Sequence, residues 1–175
     1  MATLMTKKIS FNSLKNMLIA AIFSVAILAN PARAGMELQQ VDGQVVDLDD
    51  FRGDGRWLLV MLWATTCHIC EMQKPDISAF HDKHKDTDAH VLGIALDGME
   101  RLEEIKANMQ HHKTSFPSLV GNIAIVASHY QHMTEESLRG TPTYLLFNPS
   151  GELVGNNPGP LSVEAIEKFM ASRAG

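Results

Sequence analysis

After the first 34 residues, three stretches of the chain are apolar almost without interruption: Trp57 to Trp63, Val91 to Leu96 and Tyr144 to Phe147. Short unbroken apolar runs bounded by turn-forming residues predict strands buried on both faces. Between the first two, the sequence from Cys67 to about Lys85 turns polar and helix-forming, with Pro75 removing a backbone donor where a bend is expected. A strand, a helix-length crossover and a second strand imply a parallel pair.

The rest of the chain follows the same logic. Met36 to Phe51 alternates loosely around Asp42-Gly43, which predicts two short strands joined by a turn. Glu100 to Gln110 places Leu102, Ile105 and Met109 on one helical face, and Ile123 to His132 reads as a further helix. Phe116 to Val120 is a short strand or an extended loop. Tyr144 to Phe147 and Glu152 to Val154 flank Asn148-Pro149-Ser150-Gly151, the pattern of an antiparallel hairpin. Gly155 to Pro160 reads as a loop. Ser162 then caps a last helix whose Val163, Ile166, Phe169 and Met170 form its buried stripe.

The N-terminus has a different character. Lys7, Lys8 and Lys15 precede an apolar run from Met17 to Ala29, and Ala32-Arg33-Ala34 supplies a small-x-small cleavage pattern. The run is shorter than the about 20 residues a spanning helix needs, so residues 1–34 read as a cleavable signal peptide, with an uncleaved membrane anchor facing the periplasm as the alternative. Residues 35–175 are then one domain. Residues 1–34 carry four of the chain's 15 basic residues and none of its 20 acidic ones, so the remainder holds 11 against 20, a formal net charge of −9. That balance disfavours nucleic acid as a partner. Export would place the protein where disulfides persist, most simply a bacterial periplasm.

Candidate chemistry concentrates in one place. Cys67 and Cys70 are the two cysteines of the chain, and they sit where the first apolar run gives way to the helical stretch. Unpaired N–H groups and the positive end of the helix dipole stabilise a thiolate there, so Cys67 is expected to attack and Cys70, one turn deeper, to resolve. A structural disulfide or half of a zinc site is the competing reading, but no second cysteine pair exists. The pairs His81 and His84, His111 and His112, and His129 and His132 could recruit copper or zinc, although surface helix histidines are the simpler explanation.

The pieces from Val41 to Gly53, from Trp63 to Cys70 with Pro75, and from Gly140 to Val154 together resemble the thioredoxin superfamily. Within it they look like the exported TlpA/ResA-like branch, which includes the cytochrome c maturation thioredoxins. The resemblance implies an α/β thioredoxin-like fold: a central mixed sheet flanked by helices, with an N-terminal β-hairpin and an inserted strand-helix segment after Leu96. It also implies a cis Pro142, with Thr141 offering its backbone to an incoming substrate strand and Trp63 at the same substrate face.

Two departures from the branch bear on mechanism. Six residues before Cys67, where thioredoxins keep a buried aspartate, stands Met61. Three residues after Cys70, where the branch often has a glutamate, stands Gln73, which cannot accept a proton near neutral pH. His68 lies inside the motif and could tune the thiolate. Oxidases of the DsbA type place their histidine where this chain has Ile69.

The implied function is a periplasmic thiol-disulfide oxidoreductase of reductase type, working on protein thiols and disulfides with a membrane electron donor or acceptor. No cofactor or metal is expected, and the protein is expected to be a monomer. The alternatives are a DsbA-like thiol oxidase and a copper metallochaperone on the same fold.

Overall fold

The computed structural model describes residues 35–173, so the stretch read as a signal peptide lies outside the described residues. Seven strands form one mixed sheet: β1 (Glu37–Gln39), β2 (Val45–Asp47), β3 (Trp57–Trp63), β4 (Ala89–Ala95), β5 (Ser118–Val120), β6 (Thr143–Phe147) and β7 (Leu153–Pro158). Their order is β2-β1-β5-β4-β3-β6-β7. Four helices accompany them: α1 (His68–His84), α2 (Leu102–His111), α3 (Ile123–Thr134) and α4 (Val163–Arg173).

The expected parallel pair is β3 with β4, running from Trp57 opposite Ala89 to Trp63 opposite Ala95. β6 joins the other edge of β3 antiparallel, so β3 is central, which explains why every one of its residues is apolar and buried. Its side chains alternate between two cores. Trp57, Leu59, Met61 and Trp63 face Cys70, Ile77 and Phe80 of α1, Ile105 of α2, and Ile166 and Met170 of α4. Leu58, Val60 and Leu62 face Val126 and Tyr130 of α3 together with Leu38 and Leu48 from the N-terminal segment. The site therefore rests on the first of these cores.

The segment after β4 supplies α2, β5 and α3. β5 runs parallel to β4 and carries the N-terminal hairpin on its outer side, so Phe116 to Val120 resolves into the strand Ser118–Val120. α1 continues through Pro75 as one helix. The proline withdraws the donor that would bond the Glu71 carbonyl.

One boundary differs from expectation. Gly155 to Pro158 is not loop but the last four residues of β7, paired with β6 from Leu146 opposite Gly155 to Thr143 opposite Pro158. Glycine, asparagine and proline carry little strand preference, yet β7 is an edge strand whose outer backbone needs no partner, and Pro158 is tolerated there. Pairing with β6 decides its conformation.

Candidate active site

β3 delivers the chain to the site. Trp63 ends the strand, Ala64, Thr65 and Thr66 make a short loop, and Cys67 is the N-cap of α1 with an extended backbone. The loop is fixed from the far side by Asp97, in the turn after β4. Its carboxylate accepts the Thr65 hydroxyl at 2.6 Å and the Thr65 N–H at 3.0 and 3.2 Å. Arg101 donates to the same carboxylate at 3.3 Å, and the Asp97 side chain is only 3% exposed.

Cys67 and Cys70 are joined in a disulfide. The Cys67 sulfur also accepts the Cys70 N–H at 3.1 Å, so a helix N-terminal donor is aimed at it. Cys67 is half-buried and reachable, whereas Cys70 is completely buried. The residues between and just beyond the sulfurs face outward. His68 has a side chain 82% exposed, its Nδ1 3.4 Å from a Glu71 carboxylate oxygen. Ile69 and Met72 expose apolar side chains beside it.

The β6 approach lies across the loop. The Thr141–Pro142 peptide is cis, Pro142 is buried, and Thr141 is half-buried. The Pro142 carbonyl accepts the Gly159 N–H at 2.8 Å, and the Thr143 hydroxyl donates to the Gly140 carbonyl at 2.7 Å, which anchors this corner on both sides. Ala64, Leu96, Asp97, Ile123, Gly140 and Thr141 line one continuous groove. An extended peptide laid there would pass the strand-to-helix loop.

Other sequence-predicted residues are placed differently. Trp63 does not reach the substrate face. It is wholly buried, its indole N–H donating to the Ser118 hydroxyl at 2.9 Å, because its position on β3 points it into the core beneath α1 and α2. A Cβ on Gly93 would overlap the Ser118 hydroxyl and crowd the indole nitrogen, so a glycine on β4 makes room for that bond. Gln73 turns its amide oxygen toward α4 and β6, accepting the Tyr144 hydroxyl at 3.1 Å and the Leu161 N–H at 2.7 Å. Both lone pairs of that oxygen are thereby used. Burial pushes the Tyr144 phenol up, so it remains a donor. Met61 is fully buried at the floor.

Sequence reading missed Lys74. It is completely buried, its amine 3.5 Å from the centroid of the Trp63 ring and hydrogen-bonded to the Asn108 side-chain oxygen on α2. Burial pushes this amine down to about 8, with Glu71 and Asp97 restoring part of the charge. The signal was present: positions 70, 74, 77 and 81 share one helical face, and all four are buried.

Glu71 is held below the usual carboxylate range. Burial opposes its charge, but the His68 and Asn108 hydrogen bonds and the nearby His112 outweigh that effect. One histidine pair is engaged elsewhere: His81 accepts the Val91 N–H at 3.1 Å, and His84 lies between Asp88 and Glu167. Among the described residues no group of three or more His, Cys, Asp or Glu side chains is arranged to hold a metal ion. No described helix is long and apolar enough to cross a membrane.

The comparisons with known proteins agree with this geometry. The chain is similar to the thiol-disulfide oxidoreductase ResA of Halalkalibacterium halodurans, 26% identical over 144 residues that cover 79% of this chain and 76% of that protein. Among solved structures it resembles the thioredoxin domain of a thiol-disulfide oxidoreductase from Bacteroides vulgatus, with a TM-score of 0.63, 22% identity, and 78% and 93% of the two chains covered. It also resembles the pneumococcal exposed lipoprotein thioredoxin of Streptococcus pneumoniae, with a TM-score of 0.62, 25% identity, and 79% and 99% covered. The fold is thioredoxin-like, and with residues 30–155 matching the AhpC/TSA family, the chain belongs to that family.

Proposed function

We propose that this protein is an exported thiol-disulfide oxidoreductase of reductase type, with Cys67 as nucleophile and Cys70 as resolving thiol. The observation that carries the reading is the pairing of a reachable sulfur at a helix N-terminus with a buried one, in disulfide linkage, after a loop whose Ala64 lines a groove together with Thr141. In the dithiol form the Cys67 thiolate attacks a substrate disulfide. One substrate sulfur leaves and is protonated from water. Cys70 then gives up its proton and attacks Cys67, the second substrate sulfur leaves, and two electrons have passed from the protein to the substrate. The Thr141 backbone and Pro142 would hold the substrate as an added strand, and His68 as a cation would favour the Cys67 thiolate. A membrane-bound donor would return the electrons.

Reduction of insulin by the protein tests the reading. It is expected to proceed well above the uncatalysed rate and to vanish in Cys67→Ser, while Cys70→Ser accumulates mixed disulfides with its clients. A wild-type rate equal to background would overturn it. For export, the support is the basic, apolar and small-residue pattern of residues 1–34. N-terminal sequencing of fractionated protein is expected to find Gly35 first in the periplasm, and an intact cytoplasmic chain would contradict it.

A thiol-oxidase direction is the second reading, and one observation favours it. Met61 and Gln73 offer no carboxylate, while Lys74, four residues after Cys70 on the same buried face of the helix, carries an amine, and a cation near a thiolate favours it and hence a more oxidising disulfide. The redox equilibrium with glutathione separates the two directions.

A further inference from the structure

Lys74 is a completely buried amine whose direct partners are neutral: the Asn108 amide oxygen and the face of the Trp63 indole. Each surrounding element contributes to its environment. α1 supplies Glu71, which also meets His68. The turn after β4 supplies Asp97, already bonded to Thr65 and Arg101. α2 supplies Asn108 and, 3.6 Å from Glu71, His112. The two carboxylates attract the ammonium through space but are committed to other donors. In the disulfide form, then, a buried cation lacks a close counter-ion, an arrangement that proteins seldom keep without use.

The missing anion is created one helical turn away. Cys70 and Lys74 are four residues apart on α1, share its buried face, and are both fully enclosed. Residues at that spacing are neighbours on a helix, and long helical side chains lean toward the N-terminal turn. Opening the disulfide turns Cys70 into a thiol whose ionised form would lie in the same enclosed space as the ammonium.

We propose that Lys74 is a positioning residue for the exchange, its buried ammonium stabilising the Cys70 thiolate that resolves the mixed disulfide. This rests on Cys70 being the resolving thiol. The Cys70 proton passes to water, the thiolate attacks the Cys67 sulfur, and the bond from Cys67 to the substrate sulfur breaks. That sulfur leaves with the electron pair and takes a proton from water, and the ammonium is unchanged. Because the cation stabilises the dithiol state more than the disulfide state, it also makes the disulfide the stronger oxidant.

Two measurements test this, and neither requires a substrate. In a Cys67→Ser background, the pH dependence of Cys70 alkylation by iodoacetamide gives its thiolate fraction. Adding Lys74→Met is expected to lower that fraction about tenfold at neutral pH, one unit of pKa. Lys74→Arg is expected to restore most of it. Coincident profiles with and without Lys74 would overturn the proposal. The second measurement needs no substitution: lysine-selective NMR titration of the wild-type protein as disulfide and as dithiol. Thiolate and ammonium stabilise each other reciprocally, so the Lys74 titration is expected to move to higher pH on reduction. An unmoved Lys74 titration would overturn it even if Lys74→Met failed to fold. Should insulin reduction persist while both measurements come out flat, the oxidoreductase reading would stand and the role of Lys74 would fall.

Discussion

Asp97 holds Thr65, two residues before the first cysteine, through the hydroxyl at 2.6 Å and through the N–H at 3.0 Å. A carboxylate that is nearly unexposed and accepts from both groups makes the cysteine loop a fixed extension of the sheet rather than a mobile connection. Asp97→Ala leaves both Thr65 donors without their acceptor and is expected to lower stability by about 2 kcal/mol. Thr65→Val removes the hydroxyl alone and costs about 1 kcal/mol. Urea unfolding of the two single variants and the double variant is expected to show a coupling of at least about 0.5 kcal/mol, and strict additivity would contradict the contact.

Gln73 joins α1 to β6 and to the segment entering α4 through a single oxygen. Gln73→Leu is expected to destabilise the protein by about 2 kcal/mol, because the buried Tyr144 hydroxyl and the Leu161 N–H lose their acceptor together. Adding Tyr144→Phe to that variant removes one orphaned group and is expected to recover part of the loss in thermal unfolding. A double variant less stable than Gln73→Leu alone would count against this account.

Burial of Lys74 works against stability in the disulfide form. Its amine is pushed down to about 8 from an ordinary 10.5, so the unfolded chain binds the proton more tightly than the folded one. Below about pH 8 the full penalty applies, and it is relieved as the pH rises toward about 10.5. Lys74→Met is therefore expected to stabilise the oxidised protein at pH 7 by about 2 kcal/mol. Denaturant melts of both proteins across that alkaline range are expected to converge, and a constant gap would refute the assignment.

Two histidines on α1 respond to pH in opposite directions. His81 is pushed down by burial, with Lys85 adding to the effect, and its ring accepts the Val91 N–H. The stability it contributes is complete above its unfolded value, about 6.5, and is lost as pH falls. Burial also opposes charge on His84, but the hydrogen bonds to Glu167 and Asp88 outweigh it and leave its pKa raised. Its contribution is complete below about 6.5 and is lost as pH rises through the folded value. Stability measured from about pH 5 to 8 is expected to show a flatter acid limb in His81→Asn and a flatter alkaline limb in His84→Gln. Identical curves for both variants and the wild type would rule this out.

The order of strands and helices was readable in the sequence because each is written in a local pattern. An unbroken apolar run makes β3, the 3.6-residue spacing of Leu102, Ile105 and Met109 makes α2, and Asn148-Pro149-Ser150-Gly151 closes the last hairpin. The junction that places Cys67 at the mouth of α1 is equally local, since strand and helix meet within a few residues of it. Local pattern could not show which polar side chains are enclosed. Lys74 is buried because Asn108, 34 residues away, and Trp63 close over it, and the buried Trp63 indole is bonded to Ser118, 55 residues away. β7 extends through Gly155-Asn156-Asn157-Pro158 for the same kind of reason, since its hydrogen bonds come from β6 and not from its own preferences. Sequence therefore determined the elements and the reactive pair, through interactions a few residues long. The enclosure of the Lys74 amine was decided only when distant segments packed together, because the free energy of a buried ammonium depends on everything that surrounds it.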